Sequence, residues 1–165
     1  MEKITLRKYP DPVLRKRCQE VEKITPEILL LIEEMKKILD QANGAGLAAN
    51  QAGELRRIII INTEKGPLEL INPEITRKSV ETEVIEEGCL SFPGLWLKIK
   101  RAKEVEIQAK DSENREIKLS AKGIQARGLQ HEIDHLDGVL FISRIGFFQR
   151  LRLNERLKKF TKDKN

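Results

Sequence analysis

Histidine is almost missing from this 165-residue chain: only His131 and His135 occur. Cysteine is equally scarce, with Cys18 and Cys89 far apart and in no C-x-x-C pattern. A disulfide-stapled scaffold is therefore not expected, and each thiol reads as a ligand, a nucleophile or a buried group. Aromatic residues make up only 4% of the chain, against 39% apolar and 35% charged. No apolar run approaches the length of a membrane span, so a membrane partner is not expected. The opening Met1-Glu2-Lys3-Ile4-Thr5-Leu6-Arg7-Lys8-Tyr9-Pro10 lacks the apolar centre of a secretory signal and is no Ser/Arg-rich transit segment. A cytoplasmic location is the expectation. Repeats, low-complexity tracts and internal linkers are also missing, and the length suits one domain over 1–165 with a core that needs no staples. The net charge of +5 permits an anionic partner without demanding one.

What is present concentrates in Gln130-His131-Glu132-Ile133-Asp134-His135-Leu136-Asp137-Gly138. Gly123 before and Gly138 after bound a helical segment that begins at Ile124. On a helix, positions i and i+4 share a face, so His131 and His135 can grip one metal ion. Glu132 is rotated by roughly 100° from His131, close enough to reach water at the ion but poorly placed as a ligand. A polar patch or a pH-sensitive surface would also explain two histidines, because H-E-x-x-H alone is a common chance match.

Earlier segments read as scaffold. Asp11-Pro12 and Thr25-Pro26 both have the form of a helix start, with proline at the first helical position. After the second, Ile28, Leu31, Ile32, Met35, Ile38, Leu39 and Ala42 recur at helical spacing until Asn43-Gly44. Cys18, among Arg15, Lys16, Arg17 and Glu20, reads as a half-buried structural thiol. Gly44-Ala45-Gly46-Leu47-Ala48-Ala49-Asn50-Gln51 is small and uncharged, which suits close backbone approach to a substrate or a tight packing loop. Strands are expected at Arg57–Asn62, at Leu68–Ile71 ending with Asn72-Pro73, and around Val80–Ile85. Val105, Ile107 and Ala109, then Ile117 and Leu119, alternate across a turn at 111–114 as a hairpin with one wet face. Strands between flanking helices indicate α+β.

A catalytic centre of this kind usually has three protein ligands and one open position. With both histidines used, the third must be Cys, Asp or Glu. The longer signature with a third histidine fails, because Phe141 occupies its last position. A thermolysin-like metalloendopeptidase would take Glu155, about twenty residues on. That residue lies in the most basic part of the chain, where a salt-bridged surface carboxylate is the simpler reading. Cys89, in Glu86-Glu87-Gly88-Cys89-Leu90-Ser91-Phe92-Pro93-Gly94, is the stronger candidate, since sulfur binds zinc or ferrous iron tightly.

Three segments, Gly44–Gln51, Glu87-Gly88-Cys89-Leu90-Ser91 and Gln130–His135, resemble the three signature motifs of peptide deformylases, in the same order. Tyr9–Arg15 and Gly138–Phe141 are also similar to that family, and the likeness spans nearly the whole chain. It implies a single catalytic domain of α+β class, with mostly antiparallel sheets around a central metal-binding helix and helices at both ends. It implies a metal-dependent hydrolase that removes the formyl group from the N-terminal methionine of newly synthesised proteins, so its partners are N-formyl-methionyl nascent peptides. The implied ion is ferrous iron (Fe2+), held by Cys89, His131 and His135, with zinc, nickel or cobalt as alternative occupants in purified protein. Glu132 is then the general base, and the Gln51 amide and the Leu90 backbone N–H are the oxyanion donors. Gly44 and Gly46 would pair with the peptide backbone, and Glu87 would also meet the substrate. Ile85, Ile124, Gly128 and the His131 ring would wall a methionine pocket. Two departures stand out: Gly128 where a larger residue is common, implying a roomier pocket, and Ala45 for a β-branched residue. Arg101 matches a basic position near the substrate, and a structural salt bridge explains it equally well.

Residues 146–165 read as a basic amphipathic C-terminal helix. Phe147, Leu151, Leu153, Leu157 and Phe160 lie among Arg150, Arg152, Arg156, Lys158, Lys159, Lys162 and Lys164. Its cationic face is either simply solvated or in contact with the ribosome. A non-enzymatic, metal-stapled nucleic-acid module is the third reading, and under it Glu132→Gln would be silent. The two enzymatic readings separate on two variants. Deformylation predicts that Cys89→Ser loses both metal and activity while Glu155→Ala is nearly silent; the endopeptidase reading reverses this. Metal content and cleavage of formyl-Met against internal peptide bonds measure the difference.

Overall fold

The run Ile58-Ile59-Ile60-Ile61 sets the architecture. Successive residues of a strand face opposite sides, and all four isoleucines are buried, so both faces of this strand must be covered. The computed structural model describes residues 4–162 and shows how. Strand β2 (Ile58–Thr63) lies in a sheet with β1 (Gly46–Ala48), β3 (Gly66–Lys78), β6 (Glu104–Lys110) and β7 (Glu116–Lys122), in the order β1-β2-β3-β6-β7. Every pairing in it is antiparallel. Helix α1 (Pro26–Gln41) packs Ile28, Leu31, Ile32, Met35 and Leu39 on the face that carries Ile58 and Ile60. Helix α2 (Gly123–Leu136) packs Ala126, Leu129, Ile133 and Leu136 on the face that carries Ile59 and Ile61.

A second sheet pairs β4 (Thr82–Cys89) with β5 (Phe92–Ala102). Its Phe92, Leu95 and Ile99 join Leu14, Leu140, Phe141, Ile142, Ile145 and Leu153 in a separate core. Leu153 belongs to α3 (Phe147–Lys162). Helix α2 therefore runs between the two sheets, and the expected α+β class with a central helix is found.

The hairpin across 111–114 matches its expected position, with Asn114 in left-handed backbone at the turn, whereas the strand expected around Val80–Ile85 runs over Thr82–Cys89 and leaves Val80 outside it and exposed. The helix opened by Pro26 ends as expected, with Asn43 left-handed and the Gly44 N–H closing on the Leu39 carbonyl. Other expectations need correction. Asp11 does cap a turn, but it is a single 3₁₀ turn over Pro12–Arg15, because the chain then extends and the Cys18 N–H bonds to the Leu136 carbonyl. Cys18 is buried rather than half-buried, at 4% exposure. Burial pushes its thiol up to about 11 against the lowering charge of Arg57. Strand β3 does not stop at Asn72-Pro73: a register shift between Ile71 and Glu74 absorbs the proline and the strand continues to Lys78.

In α3 the seated face is Leu153 with Leu157, while Phe147 and Leu151 point outward at 70% and 52% exposure. Side chains from Lys159 onward, including Phe160, Lys162 and Lys164, lie outside the described set. No helix among the described residues is long and apolar enough to cross a membrane.

Asn72 is a structural joint. Its φ is 51°, its Oδ1 accepts from the Val21 N–H at 2.8 Å and its Nδ2 donates to the Val21 carbonyl at 3.0 Å. Asn72→Ala removes both bonds and leaves a side chain poorly suited to left-handed backbone. A loss of about 2–3 kcal/mol is expected, read as a lower urea midpoint with unchanged slope.

Candidate metal centre

Three segments that are distant in sequence converge where the two sheets meet across α2. Along one face of that helix, the four-residue spacing aligns Arg127, His131 and His135. From β4, Cys89 reaches the same point. The ligand atoms of Cys89, His131 and His135 all lie within 4.8 Å of one another, and Cys89 Sγ is 3.2 Å from His135 Nε2. Glu155, the rival third ligand, is exposed on α3 and bonded to Lys158 at 2.6 Å. It is the salt-bridged surface carboxylate its sequence context suggested, and the endopeptidase alternative is not supported.

Orientation of the first imidazole comes from Glu87. His131 Nδ1 lies 3.0 Å from Glu87 Oε2. An N–H donated there leaves Nε2 as the free lone pair, the usual arrangement of a metal-binding histidine. The same carboxylate accepts from Arg101 Nε at 2.8 Å, Arg101 Nη2 at 3.0 Å and Arg127 Nη1 at 2.7 Å. Burial pushes the Glu87 carboxyl up, but bonds from His131 and Arg101 prevail and hold it at about 2. Glu87 borders the cavity, yet its oxygens are taken. Both oxygens are committed to cations and an imidazole, which gives Glu87 a supporting role beside the cavity it lines. Arg101, also paired with Asp134, is the structural salt bridge of its two readings.

Other neighbours fix the remaining pieces. Asn50 Nδ2 donates to the His135 carbonyl at 2.6 Å, tying the helix to the Gly-rich segment. Gln51 Oε1 accepts from the Ala48 N–H at 2.9 Å, which turns its Nε2 toward Ser91 Oγ at 3.1 Å and Cys89 Sγ at 3.5 Å. The close approach expected of the Gly-rich segment is to another element: a Cβ on Gly46 would sit 2.7 Å from Glu132 Oε1. Glu132 Oε2 and His135 Nδ1 are buried with no hydrogen-bond partner among the described residues. Burial raises the Glu132 carboxyl to about 7, against the lowering influence of His131. His135 is held well below the ordinary imidazole range by burial and by the charge of His131. His131 is raised despite burial, through its bonds to Cys89 and Glu87.

A cavity of about 570 Å³ opens onto this group. Gly44, Gly46, Gln51, Leu90, Ile124, Gly128, His131 and Glu132 line it, as does Cys89. Ile85, expected in its wall, does not line it: it sits two residues up β4 from Glu87, opposite Ile99. Gly128 adds room, since a Cβ there would meet nothing within 4 Å. Arg127, Asn50, Ser91 and Trp96 were not anticipated. Arg127 carried a readable signal, four residues before His131 on the same helical face. Trp96 carried another, as the outward residue between Leu95 and Leu97.

Residues 3–150 match the family described as Polypeptide deformylase. The peptide deformylase of Thermotoga neapolitana is 41% identical over 157 residues, covering 95% of this chain and 96% of the relative. Among solved structures, the peptide deformylase of Thermotoga maritima superposes with a TM-score of 0.84 at 40% identity, over 88% of this chain and 99% of that one. That of Ehrlichia chaffeensis in complex with actinonin gives 0.90 at 36% identity, over the full length of both. Similarity of this depth, over this much of the chain, leaves no room for a chance H-E-x-x-H match: the chain belongs to the peptide deformylase family.

Proposed function

We propose that this protein is a metal-dependent deformylase that removes the formyl group from the N-terminal methionine of newly made proteins. The observation that carries the reading is the convergence of Cys89, His131 and His135 within 4.8 Å beside the buried carboxylate of Glu132. One sulfur and two imidazoles form a donor set that suits zinc as readily as ferrous iron, nickel or cobalt, and ferrous iron is the ion that the likeness to deformylases implies. The unpartnered Glu132 Oε2 is likewise suited to a group that works on water. An ion held by these three ligands supplies Lewis acidity, which acidifies water and polarises the formyl oxygen.

The remaining steps belong to the chain's own groups. Glu132, raised to about 7, accepts the proton of the attacking water near neutral pH and delivers it to the departing amine nitrogen. The Gln51 Nε2 and the Leu90 backbone N–H donate to the oxyanion that grows on the formyl group. The Ala48 N–H holds the oxygen end of the Gln51 amide in place, and the amide Nε2 exchanges its present bonds to Ser91 and Cys89 for the oxyanion. The peptide lies extended between two strand edges. Strand β1 ends the five-stranded sheet and β4 has one free edge, and residues of both segments line the cavity. Backbone at Gly44–Gly46 pairs with the substrate, and the methionine side chain enters the space left by Gly128, beside Ile124 and the His131 ring.

In this reading residues 1–165 act as one catalytic domain in the cytoplasm. The exposed Arg150, Arg152 and Arg156 on α3 support contact with the ribosome. Replacing Arg152 and Arg156 by Glu leaves buried Leu153 seated and is expected to lower co-sedimentation with ribosomes. Unchanged co-sedimentation would count against that contact.

The deciding assay is anaerobic hydrolysis of formyl-Met peptides with iron supplied, set beside hydrolysis of an internal peptide bond. Glu132→Gln is expected to keep the metal and lose about 10²- to 10⁴-fold in kcat. Gly46→Ala, which displaces the same carboxylate, is expected to lower kcat with the metal retained. Full activity in Glu132→Gln would refute the assigned base.

A further inference from the structure

Trp96 is the only tryptophan of the chain, and none of the chemistry above uses it. It is 61% exposed and still lines the cavity, together with Glu86, Gly88 and Ile124. A Cβ on Gly88 would come within 3.0 Å of two carbons of the indole ring. The missing side chain is what lets the indole lie over the backbone of β4.

The alternation of the two-stranded sheet says which way this platform faces. On β5, Leu95, Leu97 and Ile99 turn inward while Trp96, Lys98 and Lys100 are exposed. On β4, Glu87 turns inward and Glu86 outward, in register with Leu97 and Lys98 respectively. The inner face therefore carries Glu87 and the ligand group, and the outer face carries Trp96 and Glu86. A peptide along the free edge of β4 keeps the same two-residue alternation. If its methionine side chain turns inward to the space at Gly128, the side chain of the second residue turns outward. There it meets the indole beside that edge.

We infer that Trp96 is a specificity-determining residue that contacts the second residue of the formyl peptide and favours a large apolar or aromatic side chain there. Covering the indole removes apolar area from water on both partners, and aromatic pairing adds to that. The inference rests on the deformylase reading and on the strand-like placement of the peptide.

The test compares formyl-Met-Phe-Ser with formyl-Met-Gly-Ser on the iron-loaded protein. Wild type is expected to favour the first in kcat/KM by roughly five- to tenfold. In Trp96→Ala the ratio falls toward one, and Trp96→Phe keeps part of it. A second readout needs no turnover. Because the chain has a single tryptophan, its emission reports this position alone, and Met-Phe-Ser should shift it saturably and more than Met-Gly-Ser does. An unchanged ratio in Trp96→Ala, or emission indifferent to Met-Phe-Ser, overturns the inference while leaving deformylation standing. Wild-type protein that hydrolyses neither peptide would instead overturn the deformylase reading, and this inference with it.

Discussion

One carboxylate, Glu87, holds the centre together. Its two oxygens take Arg101 from β5, and Arg127 and His131 from α2, so it ties both strands of the small sheet to the metal-binding helix. A charge buried to 5% exposure is costly unless paired and hydrogen-bonded, and here every member of the network is both. Arg127 extends it by donating to the Ile99 and Glu83 carbonyls, and Asp134 receives the other arm of Arg101. The position of His131 Nε2 is thus set by buried ion pairs behind it. Such a network acts less as added stability than as a means of fixing one arrangement of sheet and helix.

Against that rigid frame the groups proposed to carry the reaction are sparsely held. Glu132 Oε2 has no partner among the described residues, and the space beside Glu132 is opened by the absence of a side chain at Gly46. Gln51 is anchored through its oxygen and leaves its amide hydrogens toward the sulfur and Ser91. Groups that must change partners during a reaction are left with capacity to do so. Groups that must stay still are saturated with bonds. This division follows from where each residue sits: Glu87 on the inward face of a paired strand, Glu132 on the side of α2 that meets the small residues of β1.

Much of this was legible from the residues alone. Two histidines at i and i+4, with Cys89 and the Gly-rich segment, brought out the candidate ligands and the likeness to the family, because each motif is a local pattern. The long helix opened by Pro26 and the strand Ile58–Ile61 were equally readable from periodicity. What escaped depended on distant partners. The supporting role of Glu87 escaped because nothing in its local sequence announces Arg101, Arg127 and His131 as neighbours. Strand β5 was missed because Pro93 and Gly94 interrupt its start and lysines fill its outer face, although Leu95, Leu97 and Ile99 alternate correctly. Asn72-Pro73 looked like a strand end, and the register shift that carries β3 past it is a property of the pairing. The apolar residues of α3 were readable as a set, but not which of them would be seated, because periodicity cannot say where a helix crosses its support.

The unpaired edges of β1 and β4 both border the cavity. An unpaired edge is a ready template for another strand. It also filters what can enter. Only a backbone with its N–H and C=O groups still unspent can bridge the gap, and a chain end already wound into a helix or committed to its own sheet has none to offer. On the proposed strand-like placement of the peptide, access closes once the client's first few residues have folded, which favours action while those residues are freshly made.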